Sequence, residues 1–154
     1  MSLELDWYRP SDDNISVLGL APAVMPGSPQ ASGYRLSQRQ LSIVPEAVAT
    51  QARFPAGVRL RFYSNTSHLR LTLETASPSL GAGIDVMVDG NLWRSLLVEP
   101  GTADITVFEG LAAEERLLDI YLPGNQQVHI EQLGIAPDST LKPAPCKAGQ
   151  PWVF

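Results

Sequence analysis

Between Gly57 and Thr75 apolar and polar side chains alternate twice over. Val58, Leu60 and Phe62 are interleaved with Arg59, Arg61 and Tyr63. After Ser64-Asn65-Thr66-Ser67 the alternation resumes, with Leu69, Leu71 and Leu73 set against Arg70, Thr72 and Glu74. A period of two marks a strand with one buried face. The polar residues between the two halves predict a hairpin that pairs Tyr63 with His68. That register lays Phe62 opposite Leu69, Leu60 opposite Leu71 and Val58 opposite Leu73, so every apolar residue falls on one side. It also sets Arg61 opposite Arg70 with Arg59 one step along, and like charges so placed repel unless a carboxylate or a bound anion lies between them. The polar face is therefore expected to have a partner.

The same reading extends along the chain. Trp7 and Tyr8 belong to an N-terminal arm or early edge strand, and Ile15–Leu20 is a short apolar run compatible with a strand. Tyr34–Leu36 and Leu41–Val44 are read as two short strands, and Pro45–Pro55 as a connection with room for one helical turn. Ile84, Val86 and Val88 alternate with Asp85, Met87 and Asp89, and Asp89-Gly90-Asn91 predicts a tight turn into Leu92–Val98. Strands follow at Ala103–Phe108 and around Leu118, Ile120 and Leu122, with Glu109–Arg116 crossing between sheets. The strand that Val128 and Ile130 begin changes phase at Gln132-Leu133, as a β-bulge would make it do. About nine or ten short strands joined by turns predict an all-β fold: an antiparallel two-sheet jelly-roll β-sandwich, galactose-binding or carbohydrate-module-like, over residues 1–136. Residues 137–154 are read as a Pro-rich linker ending in Trp152-Val153-Phe154, the first strand of a domain that lies beyond it.

Composition sharpens this picture in a few places. The chain has 154 residues, enough for one core without metals or disulfides. Its 13 prolines and 12 glycines are spread throughout, which favours short strands over helices. A net charge of −5 and the lack of any basic run argue against nucleic-acid binding. No apolar run approaches membrane-spanning length, so no membrane partner is expected. The N-terminus has no signal-peptide pattern, which points to the cytoplasm unless Met1-Ser2-Leu3 replaces a native leader. Cys146 has no partner for a disulfide and no neighbouring histidine to activate it.

No specific catalytic pattern is present: no Gly-x-Ser-x-Gly, no phosphate-cradling glycine loop, no His-Glu-x-x-His and no Cys-x-x-Cys. His68 and His129 lack a clustered third ligand, so neither a metal nor a cofactor is expected. Asp85 and Asp89 share one strand face and are expected to answer Arg59, Arg61 and Arg70 across the sheet, making these five the candidate docking or ligand residues. Trp7, Tyr8, Tyr34, Trp93 and Tyr121 are candidates for an aromatic platform under a sugar ring. The preferred expectation is plainer: Trp93 and Tyr121 are partly buried in the sheet, and Trp7 pins the N-terminal arm.

Taken in order, PAGVRLRFYSNTSHLRLTLET, IDVMVDG, RLLDIYLPGNQQVHIEQLGI and the closing PWVF resemble the N-terminal jelly-roll domain of certain SGNH/GDSL-type esterases and acyltransferases. The resemblance covers roughly Tyr34 to Phe154, and none of these motifs is catalytic. It implies an accessory domain whose strand matching Trp152-Val153-Phe154 runs into a Gly-Asp-Ser or Gly-Ser-Ser block that carries the nucleophile. No residue of that triad falls within this sequence, so no catalytic residue is assigned. The implied partner is the SGNH catalytic domain of the same parent chain, with Arg59, Arg61 and Arg70 meeting carboxylates there. A glycan is the alternative partner, and a free-standing interaction domain the third reading.

Overall fold

Each alternating stretch forms a strand with its apolar side inward, but the two strands of the Gly57–Thr75 region do not pair with each other. The computed structural model describes residues 3–19, 35–36, 38–77, 79–101 and 103–144. The elements in chain order are β1 (Asp6–Tyr8), β2 (Ser16–Leu18), α1 (Gln38–Leu41), α2 (Glu46–Gln51), β3 (Arg59–Ser64) and β4 (Leu69–Thr75). They continue as β5 (Ala82–Val88), β6 (Asn91–Val98), β7 (Asp104–Phe108), β8 (Arg116–Tyr121), β9 (Val128–Ile135) and β10 (Leu141–Pro143). A four-stranded sheet runs β1-β9-β4-β7 and a six-stranded sheet runs β10-β3-β8-β5-β6, with β2 also pairing β3. Every pairing is antiparallel. The fold is an all-β jelly-roll sandwich.

The predicted hairpin is thus overturned: β3 lies in one layer and β4 in the other. Period two fixes which side chains point inward, and Leu60 and Phe62 meet Leu69, Leu71 and Leu73 in one core whether their strands pair edge to edge or stack face to face. The polar residues between them decide the matter. Thr66 is buried, and its Oγ1 donates to the His68 carbonyl at 2.6 Å and accepts from the Ala136 amide at 2.9 Å. Ser64 Oγ accepts from the Thr66 amide at 3.1 Å. Asn65 and Thr140 bond reciprocally, the Thr140 amide donating to Asn65 Oδ1 at 2.7 Å and the Asn65 amide to Thr140 Oγ1 at 3.3 Å. These side chains satisfy the backbone of a crossing between layers, stitched to the segment between β9 and β10.

Other expectations hold or shift locally. The β5–β6 hairpin forms across Asp89-Gly90, both at positive φ, and α2 supplies the helical turn within Pro45–Pro55. β7 and β8 lie in opposite sheets, so Glu109–Glu115 crosses between layers as expected. Thr72 pairs with Gln132 and Leu73 with Ile130, which leaves Glu131 as the extra residue of a bulge beside the anticipated position. The strand expected at Leu41–Val44 is instead the end of α1 and a turn in which the Val44 amide donates to the Gln40 carbonyl. Leu41 and Val44 are three apart, a helical spacing that the strand reading overlooked. Arg35 and Leu36 are not in a strand, and Tyr34 lies outside the described residues.

Part of the expected linker belongs to the sheet. Leu141–Pro143 pair with Ser64–Phe62, and Leu141 packs against the core. A proline is tolerated there because β10 is an outermost strand, where a missing amide breaks no ladder. Cys146 and Trp152-Val153-Phe154 lie outside the described residues.

Two substitutions test this account by urea denaturation. Phe62→Ala removes one of the largest fully buried side chains and is expected to cost about 3–5 kcal/mol. Thr66→Val keeps the shape but strips the acceptor from a buried amide, and is expected to cost roughly 1–3 kcal/mol. A Thr66→Val protein as stable as the parent would show that the crossing does not depend on that side chain.

Candidate functional site

The outer face of the six-stranded sheet gathers most of the candidate residues. On β3 the outward positions are Arg59, Arg61 and Tyr63, and the register sets them against Tyr121, Asp119 and Leu117 of β8. β5 continues the rows, with Asp85 beside Tyr121 and Met87 beside Asp119. β6 then places Ser95 beside Asp85 and Leu92 beside Met87, with Trp93 as the extra residue of a bulge.

Asp119 is the centre of this face. It is buried to 6% relative exposure, although it stands on the polar side of its strand. Arg59 Nε lies 3.1 Å and Arg61 Nη1 3.7 Å from the same oxygen, Asp119 Oδ1. Arg59 Nη1 donates to the Tyr121 hydroxyl at 3.0 Å, and its guanidinium sits 5.2 Å from the centre of the Tyr121 ring. Two cations thus share one carboxylate and hold a net charge of +1. Removing one partner of such a cluster would leave the others largely desolvated without compensation.

The arginines do find a carboxylate, but not one of those expected. Asp85 accepts instead from Ser95 Oγ at 2.6 Å. Asp89 sits in the β5–β6 turn at φ 50°, where its Oδ1 accepts from the Leu117 amide at 2.9 Å and ties the turn to β8. Arg70 lies exposed on β4 in the other sheet, beside Thr106 and Gly134, so it never opposes Arg61. The expected set of five therefore divides into Arg59 and Arg61 on Asp119, Asp85 on Ser95, Asp89 in a turn and Arg70 elsewhere. Asp119 was missed because its alternation with Leu118 and Ile120 shows only that it faces outward, and the β3–β8 pairing that brings it to the arginines joins strands about sixty residues apart.

The aromatic platform is not a single surface. Trp7 and Tyr8 lie on β1 at the edge of the four-stranded sheet, whereas Trp93 and Tyr121 lie in the six-stranded one. Trp7 packs over Gly134, where a Cβ would come within 2.8 Å of its ring; it pins the N-terminal strand, as expected. Tyr121 is half-buried, also as expected, and its ring is occupied by Arg59. Trp93 departs from expectation: it is 51% exposed, next to Leu92 at 62%, and Leu97 four residues further along the same strand is 71% exposed.

The remaining features carry less chemistry. His68 Nδ1 lies 2.9 Å from Ser67 Oγ, and His129 pairs with Glu74 in the sheet register. An open hollow of about 430 Å³ beside β4 is lined in part by Glu74, Thr75 and Glu131. Among the described residues no three His, Cys, Asp or Glu side chains lie close enough to hold a metal ion, and no helix is long and apolar enough to cross a membrane.

No family model matches the sequence, and no curated protein matches it. Solved structures do share its fold. The salicylyl-acyltransferase SsfX3 from a tetracycline biosynthetic pathway superposes with a TM-score of 0.76 at 20% identity, over 93% of this chain and 42% of its own. A GDSL-like lipase from Bacteroides ovatus gives 0.72 at 14% identity, over 92% and 44%. The acetyl xylan esterase Est2A from Butyrivibrio proteoclasticus gives 0.61 at 15%, over 94% and 35%. The chain thus spans less than half the length of each, and at these identities the likeness is one of fold.

The geometry ranks the acidic residues by consequence. Asp119→Asn leaves two guanidinia around an uncharged amide and is expected to cost roughly 1–3 kcal/mol, below the figure for a fully buried pair because both arginines reach solvent. Asp85→Asn, on the exposed Ser95 contact, is expected to fall within about 0.5 kcal/mol of the parent. Thermal denaturation of both variants checks the order, and equal losses would remove Asp119 from the centre of this face.

Proposed function

We propose that this chain is the accessory jelly-roll domain of an SGNH/GDSL-type serine esterase or acyltransferase, non-catalytic by itself, which packs against the catalytic domain and shapes access to its cleft. One observation carries the reading: more than nine-tenths of the chain shares its fold with an acyltransferase, a GDSL-like lipase and an acetyl xylan esterase, each more than twice as long as the matched part. The sequence motifs quoted above point the same way, and the sequence offers no nucleophile elbow.

The docking surface best supported is β6 rather than the three-arginine patch. Arg70 lies in the other layer, and Arg59 and Arg61 already share Asp119. β6 is an outermost strand of eight residues that exposes Leu92, Trp93 and Leu97 along its length. An exposed apolar cluster on a sheet edge is a common mark of a protein interface. The glycan reading is less well supported, because the four described aromatics of the five proposed for it divide between two sheets.

Three measurements test the proposal. The coding sequence downstream of the Phe154 codon is expected to continue into a Gly-Asp-Ser or Gly-Ser-Ser block, and a stop codon there would sink the reading. The chain alone is expected to leave p-nitrophenyl acetate at the buffer rate of hydrolysis. With the catalytic region supplied in trans, the double variant Trp93→Ala, Leu97→Asp is expected to weaken association by about tenfold or more with little change in the domain's own melting temperature. Unchanged association would move the docking face away from β6.

A further inference from the structure

Arg61 stands in an unusual condition for a guanidinium. Its side chain is only 24% exposed, yet among the described residues its single polar contact is the 3.7 Å approach of Nη1 to Asp119 Oδ1, too long for a hydrogen bond. Its Nε is buried and has no hydrogen-bond partner there. Arg59 differs in having the Tyr121 hydroxyl, the Tyr121 ring face and a closer approach to Asp119. With Nε buried and one long ion pair at Nη1, the outer Nη edge of Arg61, which reaches solvent, is available to an acceptor. The cost of desolvating such a group is recovered when the acceptor is charged and aligned.

We propose that the outer face of β3 and β8 is a carboxylate-binding site, with the ligand's carboxylate seated on the Nη edge of Arg61. A planar guanidinium edge matches a planar carboxylate through two parallel N–H···O bonds. The Arg59–Arg61–Asp119 cluster carries +1, so a monoanion neutralises it. A phosphate or sulfate dianion would overshoot that charge and would meet Asp119 at close range. Tyr63 follows Arg61 on the same strand face, about 7 Å along, and at 39% exposure it offers a ring and a hydroxyl to whatever bears the carboxylate. The ligand class is thus a small organic monocarboxylate, either a simple acid or a sugar acid of the uronate type. This site lies on β3, three strands away from the apolar edge of β6, and it stands or falls separately from the accessory-domain reading.

The test uses the 154-residue chain itself. The buried Nε–H of Arg61 exchanges slowly enough to follow in a nitrogen–proton correlation spectrum, which is recorded against acetate, glucuronate, glucose and sulfate at constant ionic strength. Acetate and glucuronate are expected to shift the Arg61 signal along a saturable curve, while glucose leaves it in place and sulfate binds about tenfold more weakly. Tighter binding of glucuronate than of acetate would assign a sugar acid, and equal binding a simple carboxylate. Arg61→Gln is expected to abolish saturation, and Arg61→Lys to weaken it several-fold because an ammonium keeps the charge and loses the planar edge. Arg94→Gln, on exposed β6, should bind like the parent. The proposal is overturned if no carboxylate moves the Arg61 signal, if sulfate matches acetate, or if Arg61→Lys or a folded Arg61→Gln binds as the parent does.

Discussion

A sandwich needs its chain to pass from one layer to the other through a region where water is scarce and the backbone has left both ladders. At Ser64–His68 this passage is made with buried polar groups, and everything around it depends on their being paired. Thr66 serves two sides at once, holding the start of β4 through the His68 carbonyl and the end of β9 through the Ala136 amide. The Asn65–Thr140 exchange then fixes the approach to β10, which pairs with the last residues of β3. One short crossing therefore sets the position of four strands in two sheets. The penalty for leaving such groups unpaired exceeds the gain from pairing them, so the corner acts as a constraint on alternatives more than as a source of stability.

The polar outer face follows from the same layout. Once β3 is committed to the six-stranded sheet it pairs with β8, and the register brings Arg59 and Arg61 to either side of Asp119. Replacing such a cluster with apolar residues could be neutral or even favourable for stability, because the desolvation of three charges offsets much of their attraction. What the cluster provides is a positive spot of fixed geometry on a chain whose net charge is −5. With both guanidinia on one carboxylate oxygen, it is the feature on which the carboxylate-binding proposal rests.

How much of this was legible beforehand can be read from particular residues. Alternation identified the inward face of β3, β4, β5 and β8 correctly, since it depends only on the pleat of a single strand. It could not say whether Phe62 and Leu69 were neighbours along a ladder or across a core, because both arrangements bury them equally. The buried Ser64 and Thr66 were the distinguishing signal, and in the sequence they look like any polar turn. The same gap hid Asp119: its outward direction was plain, but its nearness to Arg59 and Arg61 is a fact of strand pairing. Leu41 and Val44 were misread because a short apolar pair spaced by three fits a turn of helix as well as the start of a strand. Turn chemistry was more dependable, and Asp89-Gly90 bends the chain as its residues require.

The edges of the two sheets show how unequal the surfaces are. β1 has three residues and carries Trp7 folded down onto Gly134, and β10 has three with Lys142 and Pro143 among them. β7 has five and presents Asp104, which accepts from Thr72. These are ordinary ways of keeping a strand from recruiting another: shortness, charge, proline. β6 has eight residues, neither proline nor lysine, and besides Arg94 its large exposed side chains are Leu92, Trp93 and Leu97. Its bulge at Trp93 interrupts the ladder locally but turns an indole into solvent as it does so. A domain that protects its other edges and leaves this one largely apolar presents its most interface-like edge on β6. Under the accessory-domain proposal, a neighbouring catalytic domain would cover this edge and leave the arginine face of β3 open.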